Sequence, residues 1–128
     1  MVVNAYNDGM PTAADHLATA IPLRTRGCCQ PVPPPLEHSD AEECAAIFRA
    51  LGDPTRLQII HMLAETTEPV CVCDLTAAFA LGQPTISHHL AKLREAGLIT
   101  STRRGIWTFH QLNPGMSEPA REVVSLLR

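Results

Sequence analysis

Apolar residues recur at helical spacing in four successive segments, and beyond them the spacing shortens to that of strands. The first segment carries Cys44, Ile47, Phe48 and Leu51 on one face, opened by Ser39 as N-cap with Glu42 three residues on. Gly52 ends it. Asp53-Pro54 starts the second, with Asp at the N-cap and Pro at the first helical position, running to about Ala64. A short third helix is expected from about Cys73 to Ala80, with Val72, Leu75 and Phe79 apolar. After the turn Leu81-Gly82-Gln83, Pro84 opens a fourth helix to about Ala96, whose buried stripe is Ile86, Leu90 and Leu93. Gly97 supplies its stop. Two short helices joined by a Gly-containing turn are the signature of a helix-turn-helix.

Leu98 to Thr102 and Ile106 to Gln111 are β-prone runs, and Arg103-Arg104-Gly105 is expected to join them as the tip of a hairpin. Such a hairpin after the helix-turn-helix is a wing. Asn113-Pro114 breaks the second strand, and a last helix is expected to reach Arg128 with Val123, Val124, Leu126 and Leu127 apolar. So short a helix is stable only when packed. The expected fold class is mainly α with a small β-hairpin: a winged helix-turn-helix over residues 39–128. Residues 1–38 read as a flexible Pro-rich arm. Within it Thr12 and Asp15 could cap a short helix through Ala20, the run Pro31-Val32-Pro33-Pro34-Pro35 favours extended geometry, and Gly27-Cys28-Cys29 lies between.

Composition narrows the function. The chain of 128 residues suits one small domain with an appendage, and with 4% aromatic residues its core must come from Leu, Ile, Val and Ala. No stretch reaches the roughly 18 apolar residues of a membrane span, and nothing resembles a secretory signal, so a cytoplasmic protein is expected. Five cysteines, an odd number, are then no disulfide framework, and metal binding or redox sensing becomes the question. The net charge of −3 is awkward for a DNA binder, but from Gln83 to Gln111 Lys92, Arg94, Arg103 and Arg104 face Glu95 alone. A local basic stripe is what a groove contact requires.

At about 100° per residue, with Ile86 toward the core, Leu90 and Leu93 fall within about 40° of it and Pro84, His88 and Glu95 point away. Gln83, Thr85, Ser87 and His88 are short polar groups suited to base edges and phosphates. Lys92 and Arg94 suit phosphates, and Arg103 and Arg104 the minor groove or backbone. His89 lies near the edge of the apolar stripe, where a half-buried structural histidine and a DNA contact are equally compatible with the sequence. A merely polar surface helix is the alternative for this segment, disfavoured by the short helix before it and the basic hairpin after.

Three ordered motifs carry a family resemblance. Phe48-Arg49-Ala50-Leu51-Gly52-Asp53-Pro54-Thr55-Arg56-Leu57, Cys71-Val72-Cys73-Asp74-Leu75 and the run from Gln83 to Leu98 resemble the ArsR/SmtB metalloregulators over about residues 40–112. The resemblance implies a homodimeric repressor that leaves double-stranded operator DNA when an inducer binds, with the first and last helices forming the dimer interface. In ArsR-like members the Cys-Val-Cys-Asp-Leu motif binds arsenite and antimonite through three thiolates, and some carry a further Cys after the Leu. Here Thr76 occupies that position, so Cys28 and Cys29 are the expected source of the missing ligand, from the same or the other subunit. Zinc- and nickel-type sites in the family use carboxylate and His ligands on the last helix. That helix here offers Glu118 and Glu122 but no His, so that site is expected to be absent.

Thiolates are soft ligands. Cys71 and Cys73 lie at or just before the third helix's N-terminus, where partial positive charge is expected to lower thiol pKa. Inside a helix, side chains two apart diverge by about 200°, so holding one ion requires Cys71 outside the helix or the first turn unwound. Ion capture would then distort the segment that mounts the fourth helix and lower DNA affinity. As(III) or Sb(III) suits three thiolates and an uncharged precursor; four thiolates would also suit Cd(II) or Pb(II). Cys44 shares a face with Ile47, Phe48 and Leu51, and simple packing suits it better. A repressor switched by thiol oxidation, a metal-independent adaptor, and a catalytic Cys–His pair using His88 or His89 are the rivals. The last lacks a strand–helix scaffold for a nucleophile.

Overall fold

The computed structural model describes residues 31–128, and its first helix there is α1, His38–Leu51. The expected helix near Thr12 to Ala20 and the pair Cys28 and Cys29 lie outside the described residues. Residues 31–35 are exposed and carry no regular secondary structure, while Leu36–Arg128 forms one compact unit. Helix α1 begins one residue before the expected cap: Glu37 takes the N-cap without a side-chain bond, and Ser39 sits in the first turn. Its buried face is Ile47, Ala50 and Leu51, and Phe48 is 61% exposed instead of sharing that face.

The end of α1 has an unexpected second partner. Gly52 has a φ of −76°, so no left-handed turn closes the helix. The Gly52 backbone N–H donates to the Arg49 carbonyl at 3.3 Å, and the guanidinium of Arg56 reinforces this end, with Nε donating to the carbonyl of Ala50 at 2.5 Å. Arg56 belongs to α2, Pro54–Glu65, whose N-cap Asp53 accepts from the Arg56 backbone N–H at 3.1 Å. One residue therefore ends the first helix with its side chain and starts the second with its backbone, satisfying terminal groups that would otherwise lack partners.

Strand β1, Val70–Cys71, was not evident in the sequence pattern, because two residues carry no alternation to read. It leads directly into α3, Val72–Phe79, which starts one residue earlier than expected and stops at Ala80 in the left-handed region with a φ of 52°. Helix α4, Gln83–Glu95, buries Ile86, Leu90 and Leu93 as its spacing requires. It ends in a Schellman turn. Gly97, at a φ of +76°, donates to the Arg94 carbonyl at 2.9 Å, and Leu98 donates to the Leu93 carbonyl at 3.0 Å. Leu93 and Leu98 are fully buried, giving that turn its apolar clasp.

Strands β2, Ile99–Arg104, and β3, Trp107–Leu112, pair antiparallel, and β1 adds to the free side of β3, giving the order β1-β3-β2. Arg104 pairs with Trp107, so the tip is Gly105-Ile106, and Arg103 and Arg104 lie on the strand instead of at the turn. A two-residue loop with Gly at a φ of +62° in its first position matches the strand twist better than the three-residue tip expected. Helix α5, Glu118–Ser125, stops short of Arg128 and buries Ala120 and Val124, leaving Leu126 81% exposed. One core joins these elements, with Ile59, Ile60, Leu75, Ile86, Leu93 and Leu98 all fully buried. Each such side chain contributes about 1.5–3 kcal/mol.

Candidate thiol site and nucleic-acid interface

Cys71 is the last residue of β1 and the N-cap of α3 at once. Its backbone N–H donates to Asp74 Oδ2 at 3.1 Å, and its sulfur faces the Asp74 N–H, the place a Ser or Thr hydroxyl takes in a capping box. Cys71 therefore lies outside the helix, and its extended backbone turns the side chain toward Cys73, with the sulfurs 2.8 Å apart. Of the two arrangements that let both thiols meet one ion, the fold uses the first, and α3 need not unwind. Cys71 is buried and Cys73 exposed, so the pair opens to solvent on one side.

The Cys73 thiol is pushed up from its ordinary value, contrary to the lowering expected from the helix terminus. Its S–H donates to Cys71, burial adds to the effect, and the charges of Cys71 and Asp74 act in the same direction. Thr76 holds no third ligand; its hydroxyl donates back to the Cys73 carbonyl at 2.8 Å. Cys44 is half-buried on α1. Among the described residues no group of three His, Cys, Asp or Glu side chains is gathered to hold an ion.

Gln83, Thr85, Ser87, His88, Lys92 and Arg94 are exposed on α4. Lys92 lies 3.9 Å from Glu95, an exposed pair that leaves its charge available. His89 is half-buried: Arg56 Nη1 donates to its Nδ1 at 3.3 Å, with Asp53 Oδ1 3.8 Å away. The Asp53 carboxyl is held below its usual range by the Arg56 backbone N–H, aided by the charges of His89 and Arg56 and opposed by burial. Asp53, Arg56 and His89 thus fasten α4 to the junction of α1 and α2.

The wing is tied to the other flank of α4. Arg94 Nη1 reaches Ser101 Oγ at 3.5 Å, and Ser101 Oγ meets His110 Nδ1 at 2.8 Å. Burial lowers the His110 pKa, and the charge of Arg94 lowers it further. Arg103 and Arg104 are exposed, as are Ile106 and Trp107 beside them at the tip. Neither the Asp53–Arg56–His89 cluster nor the Ser101–His110 contact was found in the sequence, because both join residues from different elements.

The profile of the bacterial regulatory protein arsR family matches residues 53–101, which run from the Asp53 cap through the thiol pair and α4 into β2. The chain is 40% identical over 86 residues to an uncharacterized HTH-type transcriptional regulator of Methanocaldococcus jannaschii, covering 67% of this chain and 92% of that protein. The chain belongs to the ArsR family. It is also 42% identical over 78 residues to the arsenical resistance operon repressor of Escherichia coli K12, covering 61% of this chain and 69% of that one. The homodimeric winged helix-turn-helix domain of a Mycobacterium bovis regulator shares the fold, with a TM-score of 0.59 at 24% identity over 70% of this chain and 78% of that one. As an ArsR-family member the chain is a DNA-binding transcriptional regulator and not an enzyme. The match omits Cys28, Cys29 and the wing tip. Among the described residues no helix is long and apolar enough to cross a membrane.

Proposed function

We propose that the chain is a cytoplasmic repressor that binds double-stranded operator DNA as a homodimer and is released when As(III) or Sb(III) is captured by Cys71, Cys73 and at least one of Cys28 and Cys29. The observation that carries this reading is the pair of sulfurs 2.8 Å apart at the N-cap of α3. Two soft donors already converge there, on the helix that packs against α4 in the common core. An ion bonded to sulfur at about 2.3 Å with tetrahedral angles holds its sulfurs nearly 4 Å apart, so capture must spread the pair. Cys71 ends β1 and caps α3, and spreading therefore strains both the helix start and the wing sheet.

Proton balance distinguishes arsenic and antimony from a divalent cation. Arsenous acid condenses with three thiols, each S–H proton leaving with a hydroxide as water, so no net proton is released. Cd(II) or Pb(II) requires thiolates and expels protons. The exposed Phe48 on α1 and Leu126 beyond α5, together with the homodimeric Mycobacterium bovis domain, support a dimer through the first and last helices. Gln83, Thr85, Ser87, His88, Lys92 and Arg94 then face the groove, with Arg103 and Arg104 at its edge. His89 contributes mainly by anchoring α4.

The test uses a DNA duplex enriched by the wild-type protein from a random-sequence pool. Under strict reduction, arsenite should bind once per site without proton release, and Cys71→Ser or Cys73→Ser should abolish binding. Cys28→Ser combined with Cys29→Ser should weaken it. Induction intact in that double variant would remove the arm from the site.

The same 2.8 Å separation supports a second reading, in which a peroxide takes two hydrogens from the thiols, leaving one disulfide and two waters. Arsenite without effect under reduction, with release on peroxide addition, would favour it.

A further inference from the structure

We propose that His110 is a positioning residue that holds the recognition helix in its DNA-reading pose, acting through Ser101 and Arg94, and that the thiol-bearing strand acts on this same residue. The second half rests on the sensing reading above; the first rests on the fold alone.

His110 is the one polar side chain that is fully buried among the described residues, at 4% exposure. Burying an imidazole costs free energy that an apolar residue of similar size would not, so its presence calls for a use. It occupies the central strand, where β3 faces Val70 of β1 on one side and Ser101 of β2 on the other. Val70 immediately precedes Cys71, so a shift of the thiol pair is felt first in the backbone pairing at Phe109 and His110.

The polar chain has a direction. Arg94 can only donate, so Ser101 Oγ accepts from it and its own hydrogen is free for His110 Nδ1 at 2.8 Å. Three elements consequently converge on His110: the strand that carries Cys71 and the strand that leads to the wing by backbone pairing, and the helix that reads DNA through Ser101. Without the ring nitrogen Ser101 turns elsewhere, and Arg94 loses its 3.5 Å contact on the wing-side flank of α4. The unliganded protein keeps this chain intact; spreading the sulfurs displaces β1 and loosens it.

His110→Leu keeps the packing and deletes the acceptor, whereas His110→Asn replaces Nδ1 with an amide atom that can still meet Ser101. With the enriched duplex as probe, His110→Leu should bind arsenite as the wild type does but bind DNA about tenfold more weakly without it. The ratio of affinities with and without arsenite should shrink toward one, as in a protein already partly induced. His110→Asn should restore most of both. Ser101→Ala, a milder change, should reproduce the Leu variant, and the double variant should be no worse than either single one. Unchanged DNA affinity in Ser101→Ala, or effects of Ser101→Ala and His110→Leu that simply add, would overturn the proposal. A wild type indifferent to arsenite would overturn the sensing reading instead, and the role in holding α4 would still stand or fall on the Ser101 cycle.

Discussion

Replacing Arg56 by Met should destabilise the protein by about 2–4 kcal/mol, far more than a half-exposed arginine ordinarily contributes. Met keeps most of the aliphatic stem and removes the guanidinium. The Nε bond to the Ala50 carbonyl is short, charge-assisted and made to a buried residue, worth about 1.5–3 kcal/mol. The 3.3 Å bond to His89 adds up to about 1 kcal/mol, and the 3.5 Å approach to the Arg49 carbonyl contributes little. Arg56→Lys retains the charge but not the fork, and about half the loss is expected. Urea unfolding reads the difference, at fixed protein concentration because the stability of the proposed dimer would depend on it. A midpoint shift equivalent to less than 0.5 kcal/mol (roughly the size of an ordinary surface substitution) would refute the assignment of Arg56 as a cap of α1.

Other outcomes follow from local geometry. Gly97→Ala forces a Cβ into a φ of +76° with open space around it, so the cost is backbone strain of about 1–2 kcal/mol, measurable by the same unfolding curve. Leu75→Ala, at a fully buried site on α3, should cost about 2–5 kcal/mol and lower DNA affinity along with stability. His110 is held below the ordinary histidine value of 6.5, so the unfolded chain binds more protons just below that pH. Its contribution is complete above pH 6.5 and is lost as pH falls from there toward the folded pKa, at up to about 1.4 kcal/mol per pH unit. Subtracting the His110→Asn stability profile from the wild-type one should isolate that slope; identical profiles would contradict it.

Much of the fold was legible because short-range rules govern it. Ile86, Leu90 and Leu93 announce the buried face of α4 by spacing alone, and Asp53-Pro54 and Gly97 mark helix ends by their own backbone chemistry. Errors arose where partners are distant. Gly52 caps α1 as its place in the sequence suggests, yet the guanidinium of Arg56 adds a second partner at that end which the sequence does not announce. Phe48 followed the apolar period of α1 but lies exposed, as a residue awaiting a second surface would. The wing's tip moved by a residue because strand register, set by pairing across β2 and β3, outweighs the local pattern of arginines.

The thiol site divides in the same way. Cys-x-Cys spacing left two arrangements open, and pairing of β1 with β3 selects the one with Cys71 outside the helix. The helix-terminus argument for a lowered thiol pKa failed for Cys73 because a neighbouring thiol is much closer than the helix dipole. His110 carried no signal in the sequence, being one histidine among six until the sheet brought Ser101 against it.

The most direct measurement is the dissociation constant of the enriched duplex, taken anaerobically with the thiols reduced, before and after stoichiometric arsenite. Release by spreading of the Cys71–Cys73 pair predicts binding weaker by at least tenfold, within the usual range of allosteric coupling, and no change in Cys71→Ser. Equal constants for the wild type in both conditions would contradict it.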